Sequence, residues 1–216
     1  MIQLGENPWV LILLSMLEIL FIVVPILISS RISRTTIKQE LYQIGLQISL
    51  SDFTNKLIKI TLGIFIGIGL LLLSTLILYF SRDIIVAVVF SEEFVNEGME
   101  NTISTQLLNP NILQVFIFGI IQFLIIGPCE ESFFRGFIIT KLKEKTRLSY
   151  AMIISTIAFT LFHVPPFLVP LSTVVSYFVY YFTIGFILSL VFRYSNFSLL
   201  PGSMAHSVFN FLILIL

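Results

Sequence analysis

Gly127-Pro128-Cys129-Glu130-Glu131-Ser132-Phe133-Phe134-Arg135-Gly136-Phe137 places two adjacent carboxylates and a guanidinium inside a segment that otherwise reads as membrane-spanning. A charge at the bilayer centre costs about 2.5–3.5 kcal/mol on insertion scales, so such a group marks a functional site by default. Glu131 and Arg135 are four residues apart, share a helix face and can pair. Glu130 is turned about 100° away from Glu131 on a helix of 3.6 residues per turn. One carboxylate can therefore be held in an internal ion pair while its neighbour stays free.

The whole chain agrees with a membrane setting. Of its 216 residues, 57% are hydrophobic and 11% charged, against about 25% charged in soluble domains. Its mean hydropathy is +1.03. A net charge of zero argues against nucleic acid as a partner. The single cysteine, Cys129, excludes an internal disulfide and a Cys-rich zinc site. Met1 to Pro8 hold no Lys or Arg and no small-residue cleavage site follows, so the first apolar run is expected to be retained as a span rather than removed as a signal peptide.

The expected fold is all-α, a polytopic membrane helix bundle with about six transmembrane helices. The apolar runs are Trp9–Ile28, Ile60–Phe80, Ile112–Thr140, Ser149–Phe162, Leu171–Phe192 and Gly202–Leu216. Gly127-Pro128 allows a tilt or break in the third. Gly63-x-x-x-Gly67 in the second permits close helix packing. Ile37–Leu50 is expected as a helix on the membrane surface or a short connecting helix. Ile84–Phe90 is apolar but too short to cross, and Glu92, Glu93, Glu97 and Glu100 after it read as a solvated face. The lysines and arginines divide unevenly: 31–59 holds five, 141–149 four and 193–201 one of the twelve. The positive-inside rule puts these three connections in the cytoplasm and both termini outside. Residues 1–110 are expected to form a transmembrane hairpin with an acidic extracytoplasmic loop, and 111–216 a catalytic helix bundle.

His163, His206, Asn210 and Glu18 are the other unusual polar groups in or beside the apolar runs. Glu18 is expected to face the bundle interior, protonated or hydrogen-bonded. At about 1.5 Å per residue, Glu130 lies about 15 Å, Asn210 about 14 Å and His163 about 20 Å from the cytoplasmic ends of their helices. His206 and Asn210 are four apart and share a face. A lone buried histidine is usually a satisfied interior residue, but both histidines of this chain lie at depths comparable to the glutamate pair. A carboxylate with an imidazole can take a proton from water. An imidazole with a carboxamide can donate to an oxyanion. Two His and one Glu also form a catalytic zinc set, so a metal, if present, would be held by Glu130, His163 and His206. No His-Glu-x-x-His is present to fix two ligands on one helix. Cys129 reads as a small buried apolar thiol rather than a nucleophile.

These residues resemble the three motifs of the CAAX-protease and bacteriocin-processing family of intramembrane proteases. Glu130, Glu131 and Arg135 match Glu-Glu-x-x-x-Arg, extended by Phe134-Arg135-Gly136; Phe159 and His163 match Phe-x-x-x-His; His206 and Asn210 match His-x-x-x-Asn. The resemblance spans roughly residues 111–214 and implies an endopeptidase in which Glu130 and His163 activate water. It implies that His206 and Asn210 stabilise the oxyanion while Glu131 with Arg135 holds the site together. That scheme requires no cofactor, with Zn as the alternative. It implies a multi-pass protein of the plasma membrane, with the lipid bilayer and a membrane-associated peptide or prenylated CAAX protein as partners. Relative to larger members this chain is expected to lack an extra C-terminal helix. The competing readings are a non-proteolytic scaffold or immunity protein of the same fold, and a small transporter or proton carrier.

Overall fold

A computed structural model describes residues 2–46 and 53–215, and these are almost entirely helical. The long helices are α1 (Pro8–Ser33), α3 (Phe53–Val89), α5 (Ile112–Lys143) and α7 (Leu171–Tyr194), each long and apolar enough to cross a membrane. Two shorter apolar helices, α6 (Leu148–His163) and α8 (Leu199–Ile215), complete the set. Two short polar helices, α2 (Ile37–Gln43) and α4 (Glu92–Glu100), lie in the connections. Ile2–Gln3 and Ile103–Ser104 form a two-residue parallel pair. All six apolar runs are thus helices, and together they make an all-α membrane bundle.

Local chemistry sets the boundaries. Asn7 caps α1 by accepting from the backbone N–H groups of Trp9 and Val10, with Pro8 at the first helical position. Capping boxes open α2 at Thr36/Gln39 and α5 at Asn111/Gln114. Pro165-Pro166 follows the end of α6, and Pro170 precedes α7.

Two expectations are corrected. Ile84–Val89 is not a separate short apolar piece: it continues α3 through a π-turn at Tyr79–Val86. The Gly127-Pro128 step does not break α5. A π-turn at Gln122–Ile126 comes just before it. Widening the turn moves carbonyls away from the proline ring, which otherwise clashes with the carbonyl four residues back. Of the interval expected as a surface or connecting helix, Ile37–Gln43 is helical, and 47–50 lies outside the described residues. In α4 the glutamates are exposed, while Val95 and Gly98 are buried against α7.

α8 packs along α3 and against α5, and α6 packs on α7. Gly63 and Gly67 carry the first of these contacts. A Cβ on Gly63 would lie 2.6 Å from the Pro201 carbonyl oxygen, and one on Gly67 2.6 Å from that of Ala205. Side chains at either position would push the helices apart.

The three basic connections meet at one end of the bundle. Lys141 Nζ lies 2.9 Å from Glu40 Oε2. Lys143 Nζ sits 3.7 Å over the Phe197 ring. At the other end Thr173 Oγ1 donates to the Gly98 carbonyl, and Gln3 Nε2 to that of Gln106. The N-terminal residues and the acidic helix therefore share the end opposite the basic connections.

Candidate active site

α5 carries Glu130, Glu131 and Arg135 on a stretch that passes from a regular turn at Gly127–Glu131 into a second π-turn at Ser132–Ile139. Glu131 and Arg135 are both fully buried. Arg135 Nη1 donates to Glu131 Oε1 at 2.7 Å, and Nη2 to the Gly185 carbonyl at 3.0 Å. The guanidinium lies 4.4 Å over the Phe159 ring, a cation–π contact strengthened by burial. Arg135 thereby ties α5 to α6 and α7.

α8 brings His206 against the same carboxylate: its Nδ1 is 3.0 Å from Glu131 Oε1. The approach depends on Gly127, where a Cβ would fall 2.1 Å from Ser207 Oγ. That hydroxyl instead donates to the Gln122 carbonyl at 2.9 Å. His206 is buried, and its other nitrogen, Nε2, lies 3.8 Å from Glu130 Oε2.

α6 ends on His163, whose Nδ1 is 2.9 Å from the Phe159 carbonyl. A carbonyl only accepts, so Nδ1 carries the proton, and Nε2 of the neutral ring presents a lone pair. That Nε2 also lies 3.8 Å from Glu130 Oε2. The His163 ring packs against Phe159, Phe162 and Tyr181. Its side chain is 20% exposed, against 4% for Glu130 and 1% for His206, so His163 forms the open side of the cluster.

Glu130, His163 and His206 therefore converge, with one ligand-type atom of each within 4.8 Å of the others. Glu130 Oε2 is buried without a hydrogen-bond partner among the described residues. Asn210 follows His206 by one turn, is partly exposed, and makes no side-chain hydrogen bond among the described residues. Cys129 is buried. Glu18, in a 3-10 turn of α1 at Met16–Ile19, lies beside Glu130. No sequence motif points to that meeting; the only hint is a carboxyl in an apolar run.

Two imidazole nitrogens and a carboxylate oxygen suit zinc, which binds such atoms at about 2.0–2.2 Å, so tetrahedral ligand atoms sit about 3.3–3.5 Å apart. The two 3.8 Å separations from Glu130 would need to close by a few tenths of an ångström, and the histidine nitrogens lie within 4.8 Å of each other. Glu130, His163 and His206 could hold such an ion.

Residues 111–212 match the family model of type II CAAX prenyl endopeptidases, described as Rce1-like. Over those residues the chain belongs to the CAAX-protease family. The matched segment of this Rce1-like chain contains Glu130, Glu131, Arg135, His163, His206 and Asn210. At family level it is a CAAX-type intramembrane protease, and its apolar helices make it an integral membrane protein. No curated protein and no solved structure matches the chain.

Proposed function

We propose that this protein is an intramembrane endopeptidase of the plasma membrane that cleaves near the C-terminus of a prenylated or otherwise membrane-associated polypeptide. Residues 111–216 form the catalytic bundle and residues 1–110 its transmembrane support. The observation that carries this reading is the position of Glu130 Oε2, 3.8 Å from the Nε2 atoms of both histidines. That gap is too long for a direct hydrogen bond and suits a bridging water. The name of the matched family, CAAX prenyl endopeptidase, supports a prenylated substrate.

In the proposed reaction, Glu130 takes one proton from a water lodged between it and His163, while the His163 Nε2 lone pair accepts a hydrogen bond from the water's other O–H. The water oxygen attacks the scissile carbonyl carbon, and the carbonyl π-pair moves onto oxygen. His206, protonated at Nε2 and held at Nδ1 by Glu131, donates to that oxyanion together with the Asn210 carboxamide. Collapse breaks the C–N bond, and the proton taken from water passes to the leaving amine. The Glu131–Arg135 pair keeps His206 in place. A zinc ion held by Glu130, His163 and His206 would supply Lewis-acid activation of the same water.

The test is release of the C-terminal tripeptide from a farnesylated CAAX peptide by the purified full-length protein in lipid nanodiscs. Wild type is compared with Glu130→Ala, with and without a chelator. Cleavage that is lost in Glu130→Ala and kept with chelator supports the metal-free scheme, and loss with chelator assigns a metal. Undiminished cleavage by Glu130→Ala would falsify the glutamate mechanism. An uncleaved peptide with a folded wild type favours the scaffold reading, and proton flux without cleavage favours the carrier.

A further inference from the structure

α7 meets α6 along a row of residues four apart. Ser189 Oγ lies 3.4 Å from Thr156 Oγ1. One turn nearer the start of α7, Gly185 packs so closely on Phe159 that a Cβ there would fall 2.8 Å from Phe159 Cδ1. A turn beyond that, the Tyr181 ring lies against His163, with centroids 4.8 Å apart and planes inclined at 34°. Steps of four keep these three residues on one helix face. The close approach at Gly185 therefore sets how near Tyr181 comes to the end of α6. Tyr177 continues the row, and its hydroxyl accepts from Arg82 Nη1 at 3.2 Å. The Tyr181 hydroxyl has no hydrogen-bond partner among the described residues, so Tyr181 meets the site through its ring.

His163 is the last residue of α6, and Pro165-Pro166 follow it. Its Nδ1 bond to the Phe159 carbonyl and its ring contacts with Phe159 and Phe162 all lie within its own helix. Such contacts orient the imidazole relative to α6 but leave its aim at Glu130, on α5, unset. His206 differs, because Glu131 ties it directly to α5. Tyr181 is the one ring from another helix that touches His163 among the described residues. We infer that Tyr181 is a positioning residue: its ring, wedged in from α7, holds the His163 imidazole in the orientation that directs Nε2 at Glu130 Oε2. The hydroxyl takes no part. For its effect on catalysis the inference rests on the endopeptidase reading. No motif quoted above includes Tyr181, since its partner is set by the packing of α6 on α7.

The test compares Tyr181→Leu, Tyr181→Phe, Tyr180→Leu and Glu130→Ala with wild type in the same nanodisc assay. Losing an aromatic contact of this kind corresponds to about 3–10-fold in a rate. Tyr181→Leu is expected to lower kcat by that factor with KM within about twofold, because the ring orients a group used in the chemical step. Tyr181→Phe keeps the ring and should hold kcat within about twofold of wild type. Tyr180 packs instead in the core with Leu70, Ile184 and Leu188. Tyr180→Leu should therefore lower the melting temperature and leave kcat per folded molecule unchanged. A second readout needs no substrate. The chain has two histidines, so carbon-13 labelling of histidine gives two imidazole NMR signals, assigned with His206→Gln. Tyr181→Leu should shift and broaden the His163 signal alone, and Tyr181→Phe should leave both in place. Should Tyr181→Leu fail to fold, Tyr181→Met replaces it. Either a wild-type kcat or an unmoved His163 signal in Tyr181→Leu overturns the inference, as does a folded Tyr181→Phe that is as slow as Tyr181→Leu. No cleavage by wild type, or full cleavage by Glu130→Ala, overturns the endopeptidase reading, and the His163 signal then decides by itself whether Tyr181 holds the ring.

Discussion

Glu40 at the basic end of the bundle and Glu130 in α5 are both buried carboxylates, and they are finished in opposite ways. Glu40 accepts from Ser29 Oγ at 2.7 Å and from Thr35 Oγ1 at 2.6 Å, and it meets Lys141 Nζ at 2.9 Å. Those three donors close the α1–α2 corner onto the end of α5. Glu130 has no such donors: its Oε2 faces two imidazole nitrogens at 3.8 Å and is otherwise unpartnered among the described residues. A buried acceptor left open costs about 1–3 kcal/mol or more when charged. A carboxylate that only holds the fold is saturated with donors, and one kept for chemistry retains a free lone pair at the expense of stability. Glu131, one residue away, is anchored through one oxygen: Arg135 and His206 both engage its Oε1, while its Oε2 is buried without a hydrogen-bond partner among the described residues.

The contrast can be broken from either side. The largest effect is expected at Glu130. Its replacement by alanine should cut peptide cleavage by about 10²–10⁴-fold, the usual contribution of a general base, while thermal unfolding in detergent shows no loss of stability. Glu131→Ala should cost stability as well as activity. It strands a fully buried Arg135, and removing one partner of a buried pair costs about 3–5 kcal/mol. A large drop in melting temperature should accompany the loss of activity; an unchanged melting point would place Glu131 with Glu130 instead.

Glu40→Gln keeps the shape of the corner but weakens three charge-assisted contacts. A loss of about 1.5–3 kcal/mol is expected, with cleavage per folded molecule unchanged. Smallest is the pH effect of the same group. Burial alone raises the Glu40 carboxyl. The hydrogen bonds from Lys141, Thr35 and Ser29 and the Lys141 charge outweigh it, so the group is held below its ordinary value of 4.5. The folded state then binds the proton less readily than the unfolded one. The stabilisation is complete above about 4.5 and fades as pH falls through the lower folded-state value. Melting curves of wild type should therefore soften with acid more steeply than those of Glu40→Gln, and parallel curves would remove Glu40 from the account.

The apolar runs were legible because a spanning helix must be continuous and apolar, a pattern written locally. The Glu131–Arg135 contact was legible for the same reason, since a four-residue spacing fixes two side chains on one helix face. The fate of Ile84–Val89 was not. Polar Ser81, Arg82 and Asp83 interrupt hydropathy there, and the helix continues because Ser81 donates to the Ile77 carbonyl and Arg82 to Tyr177 on α7. The passage of α5 through Pro128 was equally hidden. It depends on a π-turn whose Gln122 carbonyl is taken up by Ser207 of α8.

By itself, then, the sequence determined an all-α membrane bundle and a set of costly polar groups in separate helices, because hydropathy and helical periodicity are properties of neighbours along the chain. Only the tertiary structure decided which of those groups meet. Glu130 is drawn to His163 and His206 by the packing of α5, α6 and α8, through glycines such as Gly127 that let backbones approach. Glu18 reaches the same carboxylate from α1, and Lys141 reaches Glu40. Such meetings between residues about a hundred apart in the chain are set by helix packing, which no local pattern encodes.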